Sequence, residues 1–290
     1  MSQPTDTLQT ALEAVTDQIT RIATALGLGN PVRQSAKLLA EELAQHELRI
    51  PAPQRTAAAC LLIACRLRGE PVRVTVVAEQ TSATKANILN EMQRLSNELD
   101  IGIPLDDPKA IIEAACRELA LPATVRNRAI RLADIGAEAG VTSWVSPYTY
   151  AAAVLYIVCS PLDEELSQAE IAAHLDVSTA TLRDRRDDLL EATGNKLFDL
   201  QFPDAPAGGA SDVDDLLHVA RTADWATNKR FLGLLAGAWL YAARTYDIPT
   251  SAADLAALTG VSESTIQDRY EQFGEHIDTT STSATELDRP

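Results

Sequence analysis

Three times along this chain an alanine-rich apolar segment runs into the pattern of a helix-turn-helix. The copies are CLLIACRLRGEPVRVTVVAEQTSATKANILNEMQRL (60–95), VLYIVCSPLDEELSQAEIAAHLDVSTATLRDRRDDL (154–189) and AWLYAARTYDIPTSAADLAALTGVSESTIQDRYEQF (238–273), and they align almost without gaps. Such a repeat constrains the fold more than any single residue, because every copy has to be one supersecondary unit that buries its apolar face in the same way. Apolar residues make up 46% of the chain and are mainly Ala, Leu, Ile and Val, whereas aromatics make up only 4%. Small and straight-chain residues favour closely packed helices over a β-sandwich. The expected fold is all-α: tandem five-helix repeats, each ending in a helix-turn-helix, with a shorter third repeat.

The first copy reads as five helices. Residues 7–26 are amphipathic, with Leu8, Leu12, Val15, Ile19 and Ile22 at steps of three and four. Gly27 and Gly29 stop that helix, and Asn30-Pro31 starts the next, running to about His46 with Asn30 as the expected cap. An apolar helix over 54–68 follows, Gly69-Glu70-Pro71 breaks it, and the turn motif runs to about Leu99. The second copy repeats this order with helices expected over 107–119 and 123–139, a fresh start at Ser146-Pro147, and the turn motif over 167–192. Val32-Arg33 recurs as Val125-Arg126 after 93 residues, and Cys65 recurs as Cys159 after 94. In the third copy, residues 202–211 read as a linker that leaves room for one helix (213–223) before the apolar segment over 225–244. The resulting division is 1–104, 105–200 and 201–277, with a polar tail over 278–290 expected to be disordered.

Net charge is −16, from 41 acids and 25 bases, which is opposite in sign to the usual nucleic-acid-binding domain. The imbalance is uneven: residues 1–104 carry 11 acids and 10 bases, 105–200 carry 16 and 9, and 201–290 carry 14 and 6. With only five lysines, the composition fits life in concentrated salt, where repulsion is screened over about 3 Å at about 1 M. The four cysteines, Cys60, Cys65, Cys116 and Cys159, form no C-x-x-C pair, so a zinc ribbon or finger is excluded and buried structural thiols are expected. No apolar run approaches the ~18 residues needed to cross a bilayer, and MSQPTDTLQT has neither a basic start nor an apolar core. A soluble, cytoplasmic protein is the expectation, with no metal and no cofactor.

Within the turn motifs the second helix is the element that fits a major groove, its first turns reaching base edges. In the second copy Ile171, Leu175, Val177, Leu182 and Leu189 point inward and Ser178 suits the cap, which leaves Thr179, Arg183, Arg185 and Arg186 toward solvent. In the third, Leu255, Leu258, Val261, Ile266 and Phe273 form the same frame, and Ser264, Gln267 and Arg269 are the polar candidates. The first keeps Val77, Ile88 and Leu95, with Lys85, Asn87, Asn90 and Arg94 as its polar residues. Arg can pair with guanine and Asn or Gln with adenine, while Ser and Thr bind phosphate. The same geometry also serves simply to close a helical domain, and Asp184, Asp187 and Asp188 flank the second copy's arginines.

The segments LLIAC (61–65) and LYIVC (155–159), SWVSPYTYAAAVLYIVC, SQAEIAAHLDVSTATLRDRRDDL and TGVSESTIQDRYEQF together resemble the cyclin-like repeats of transcription factor IIB and its archaeal counterpart. The resemblance covers roughly 30–195 as two repeats and 231–275 as a partial third. It implies binding to double-stranded promoter DNA and to TATA-binding protein. The family's reading of a purine-rich promoter element would fall on Thr179, Thr181, Arg183 and Arg186, or on the third copy. The family's N-terminal zinc ribbon and the segment that enters the polymerase have no counterpart here, so the expectation is a regulator without ribbon-mediated polymerase recruitment. A cyclin-like scaffold that binds proteins and no DNA is the alternative, supported by the acidic surface. Catalysis is not expected, because His46, His174, His218 and His276 stand at no recognisable spacing from a Cys or Ser partner.

Overall fold

The computed structural model describes residues 4–286 apart from Trp144 and residues 160–165, 203–204 and 207, with side chains described within residues 8–277. Parts of the expected linker (203–204, 207) and the last four residues of the expected tail therefore lie outside the described residues. Among the described residues every element is helical. The chain forms two compact units, residues 1–111 and 112–290.

The first unit holds α1 (Pro4–Ala25), α2 (Asn30–Gln45), α3 (Pro53–Leu67), α4 (Val74–Glu79) and α5 (Lys85–Glu98). Every residue of α3 from 56 to 65 is buried, and this helix packs against α1, α2 and α5. A helix that is apolar all round belongs at the centre of a bundle, and Ala57, Ala58, Ala59 and Ala64 let its neighbours come close. Helix α1 ends where expected: Gly27 turns left-handed (φ +65°), and the Leu28 amide donates back to Ala23 O at 2.8 Å. Helix α2 departs by one residue from the expectation. Gly29 is its cap and Asn30 its first residue, with no side-chain cap bond, because Pro31 already suits the first turn without a donor to satisfy.

The boundary falls within α6 (Pro108–Glu118), and the second unit continues with α7 (Ala123–Glu138), α8 (Pro147–Cys159), α9 (Gln168–His174), α10 (Thr179–Thr193), α11 (Phe198–Gln201), α12 (Gly209–Thr222), α13 (Phe231–Thr245), α14 (Ala252–Thr259) and α15 (Glu263–Glu286). Helix α8 is the buried counterpart of α3 and packs on α7, α9 and α10. Helix α13 holds the same position in the third copy, against α12, α14 and α15. The expected linker is shorter than its composition suggests, because Phe202 packs 4.8 Å from Phe198 and 6.2 Å from Trp239. The second and third copies share this core: Trp239 Nε1 donates to Gly194 O at 3.3 Å, and Leu235 fills the space beside Gly194. Helix α15 runs on to Glu286, into the segment expected as a tail. All four cysteines are buried, and none is in a disulfide.

Candidate nucleic-acid interface

Each turn motif is built by local signals. In the first copy Thr84 caps α5, its side chain accepting the Asn87 amide. In the second, Ser167 and Glu170 form a reciprocal box at the start of α9, and bonds from the Ser167 hydroxyl and backbone hold the Glu170 carboxyl below its ordinary range. Asp176 turns left-handed (φ +57°), and Ser178 then caps α10 by accepting the Thr181 amide at 3.0 Å. In the third, Ser251 and Asp254 repeat the box, and Ser262 accepts the Thr265 amide at 3.3 Å. The inward residues are those expected: Val77, Ile88 and Leu95, then Ile171, Leu175, Leu182 and Leu189, then Leu255, Leu258, Ile266 and Phe273 are buried. Val177 and Val261 are half-buried.

The candidate contacts fare differently. Lys85, Asn87 and Asn90 are exposed on α5. Arg94 is half-buried and engaged, bonding Glu91 at 2.6 Å and also pairing with Glu98. Thr179 and Thr181 are half-buried at the start of α10, and Arg183 one turn on is exposed. Arg183 Nε donates to Gln168 Oε1 at 2.7 Å, which braces it on the first helix of the motif. Arg185 pairs with Asp188. On α15, Ser264 and Gln267 are exposed, Gln267 donating to Glu271 at 3.0 Å, while Arg269 is half-buried and bonds Gln272.

Arg186 corrects the sequence expectation. It is only 6% exposed, its guanidinium lying 5.8 Å from the Tyr156 ring centroid and 2.6 Å from Asp187 Oδ1. It also reaches over Gly260 of the third copy, where a Cβ would stand 2.6 Å from its Nη2. Tyr156 in turn donates to Ala257 O at 2.9 Å. The physical reason is the third copy itself, which covers this side of α10. Arg186 therefore joins two repeats, and the solvent-facing polar group of α10 reduces to Thr179, Thr181, Arg183 and the acid-paired Arg185.

Sequence reasoning also passed over Glu91, which is 3% exposed. It accepts from Thr56 Oγ1 at 2.8 Å and faces Arg55 Nε at 3.4 Å, fastening α5 to the central helix. Burial raises its pKa, but the bonds from Arg94 and Thr56 and the charges of Arg94 and Arg55 outweigh that, so its pKa is lowered. Its position one turn before Leu95 on the inward face was the available signal.

Comparison with known proteins places the chain in a family. The family model for the transcription factor TFIIB repeat matches residues 8–98 and 101–192. Similar curated proteins include transcription initiation factor IIB 7 of Halobacterium salinarum, 30% identical over 184 residues, which covers 63% of this chain and 57% of that protein. Transcription initiation factor IIB 5 of the same organism is 33% identical over 174 residues, 60% of this chain and 57% of that protein. Transcription initiation factor IIB of Caldivirga maquilingensis is 28% identical over 187 residues, 64% of this chain and 56% of that protein. The chain thus spans less than two thirds of the length of these relatives.

Proposed function

Because the chain belongs to the TFIIB-repeat family of transcription factors, we propose that it is a DNA-binding transcription regulator whose second repeat reads double-stranded promoter DNA. The observation that carries this reading is the start of α10, where Thr179, Thr181 and Arg183 stand together on a Ser178-capped helix of a helix-turn-helix. A capped N-terminus presents free amides and a partial positive charge to phosphate, and an arginine one turn on can pair with the O6 and N7 atoms of guanine. Lys85, Asn87 and Asn90 on α5 supply a second polar helix face, in the part of the chain nearest to neutral. TATA-binding protein is the proposed protein partner, and the cytoplasm the proposed compartment. No helix among the described residues is long and apolar enough to cross a membrane.

Binding to promoter duplexes measured over a range of salt, with and without TATA-binding protein, tests this function. Duplex binding is expected in at least one arm, with Arg183→Ala costing about 1–3 kcal/mol of sequence discrimination. Absence of DNA binding in both arms refutes it. Capture of TATA-binding protein without DNA would instead support a protein-binding scaffold, the reading that the net charge of −16 favours.

A further inference from the structure

Residues 201–290 carry 14 acids and only six bases, yet three of those bases, Lys229, Arg230 and Arg269, line one cleft of about 380 Å³ in the second unit. Arg186 of α10 is the fourth cation of its wall, and Asp187 is its one acid among the described residues. The Asp187 carboxylate is already held by Arg186 at 2.6 Å. Lys229 and Arg230 are exposed and have no acidic partner among the described residues. In so acidic a chain, four cations around one space, two of them exposed and without an acid, make a local positive potential that attracts an anion from outside.

The backbone is shaped to the same end. Asn228 adopts a left-handed conformation (φ +65°), one that Asn tolerates well, in the turn just before the two cations. The left-handed Gly260 (φ +71°) closes α14 and leaves room for the Arg186 guanidinium where a Cβ would collide. Ser262 and Thr265, at the start of α15, complete the lining. That helix end adds amide donors and the positive end of a long helix dipole.

We propose that this cleft, formed where the second and third copies meet, is a phosphate-binding site. Its occupant is either a backbone phosphate of duplex DNA or the phosphate chain of a free nucleotide. The DNA source rests on the function proposed above; the nucleotide source does not. Neither the family match, which ends at residue 192, nor the turn-motif residues assign a role to Lys229 or Arg230.

The test uses the full chain and a Lys229→Ala/Arg230→Ala double variant, with Arg183→Ala as control, titrated with a promoter duplex and separately with pyrophosphate and ATP. Both substituted residues are exposed, so the double variant should unfold at the wild-type denaturant concentration. If duplex phosphates occupy the cleft, the dependence of log affinity on log salt falls by about 1.8, two phosphates at about 0.9 each. That equals about 60-fold over the tenfold salt range from about 0.1 M to about 1 M, with sequence discrimination intact. Arg183→Ala should do the reverse and reduce discrimination. If a free nucleotide is the occupant, pyrophosphate or ATP binds the wild type and its affinity falls at least tenfold in the double variant, while the duplex salt dependence is unchanged. A wild type that binds no duplex, with or without TATA-binding protein, refutes the proposed function, and the pyrophosphate and ATP titrations still decide the cleft. Unchanged behaviour of the double variant toward every ligand, or no binding of any of them, overturns the site.

Discussion

Helix α15 is set in place by a glycine that cannot be exchanged for alanine. Gly237 lies buried in α13, and a Cβ built on it would stand 2.3 Å from Arg269 Cβ and 3.2 Å and 3.3 Å from that residue's backbone carbonyl carbon and Cα. Ordinary carbon–carbon contact is about 3.5–4.0 Å, so Gly237→Ala has to push the two helices apart by more than 1 Å. On propensity alone the substitution would stabilise an α-helix by about 1 kcal/mol. Overpacking typically costs about 1–3 kcal/mol, and the top of that range applies because a backbone, not a flexible chain end, is in the way. Separating α13 from α15 also loosens the ring contacts that Tyr241 of α13 makes with Tyr270 and Phe273 of α15. The expected net effect is destabilisation by about 2 kcal/mol.

Gly274, on the facing helix α15, is the matched control. Its nearest prospective neighbour is Tyr241 Cε2 at 3.9 Å, an ordinary contact, so Gly274→Ala should stabilise by up to about 1 kcal/mol. The two identical substitutions thus carry opposite signs. Urea unfolding at constant salt, followed by tryptophan fluorescence, reads the difference. All three tryptophans, Trp144, Trp225 and Trp239, belong to residues 112–290, so the signal reports the second unit alone. Equal stabilisation by both alanines would show that α13 and α15 do not approach as closely as described, and would remove the basis for placing Arg269.

Glu91→Gln should loosen the first unit, because it leaves Arg55 and Arg94 (side chains 29% and 27% exposed) around a neutral amide; with both cations partly hydrated, about 1–3 kcal/mol is expected. As the folded-state pKa of Glu91 lies below its ordinary value of 4.5, its contribution is complete above that pH and is lost as pH falls through the folded value. The protection of α3 and α5 amides against hydrogen exchange, taken relative to the intrinsic exchange rate at each pH, should therefore fall on acidification in the wild type more than in Glu91→Gln, and equal pH dependence would contradict this. Burial pushes the thiols of Cys60 and Cys65 up to about 12 and that of Cys116 to about 11. Iodoacetamide should accordingly leave the native protein unlabelled and modify all four cysteines in urea, as mass spectrometry would show.

Much of this fold was legible because its signals are local. Caps and breaks such as Gly27, Ser178 and Gly260 act within one turn of the chain, and they bound the helices of the first two copies to within a few residues of expectation, whereas in the third α13 starts six residues into the expected segment and α15 runs on into the expected tail. The linker was less legible. Its Pro-Asp-Ala-Pro and Gly-Gly composition says nothing of the Phe198–Phe202–Trp239 contacts that draw its first residue into the core. The charged residues of the candidate interface were the least legible, since exposure depends on what another segment covers.

Arg186 shows why. It follows Leu182 by four residues and precedes Leu189 by three, which places it on the same inward stripe as both. The corresponding positions of the other copies are Met92 and Tyr270, an apolar and an aromatic residue. An arginine on that stripe reads as a solvent contact only if the repeat stands alone. With the third copy present, the same side chain gains the Tyr156 ring, the Asp187 carboxylate and the bare backbone of Gly260. The departure from the repeat's own pattern is thus where the second and third copies bind each other. It also brings the one cation from α10 to the cleft with Lys229, Arg230 and Arg269. The third copy is in this sense part of the second repeat's surface: it removes one arginine from the exposed face of α10 and returns a basic cleft beside it.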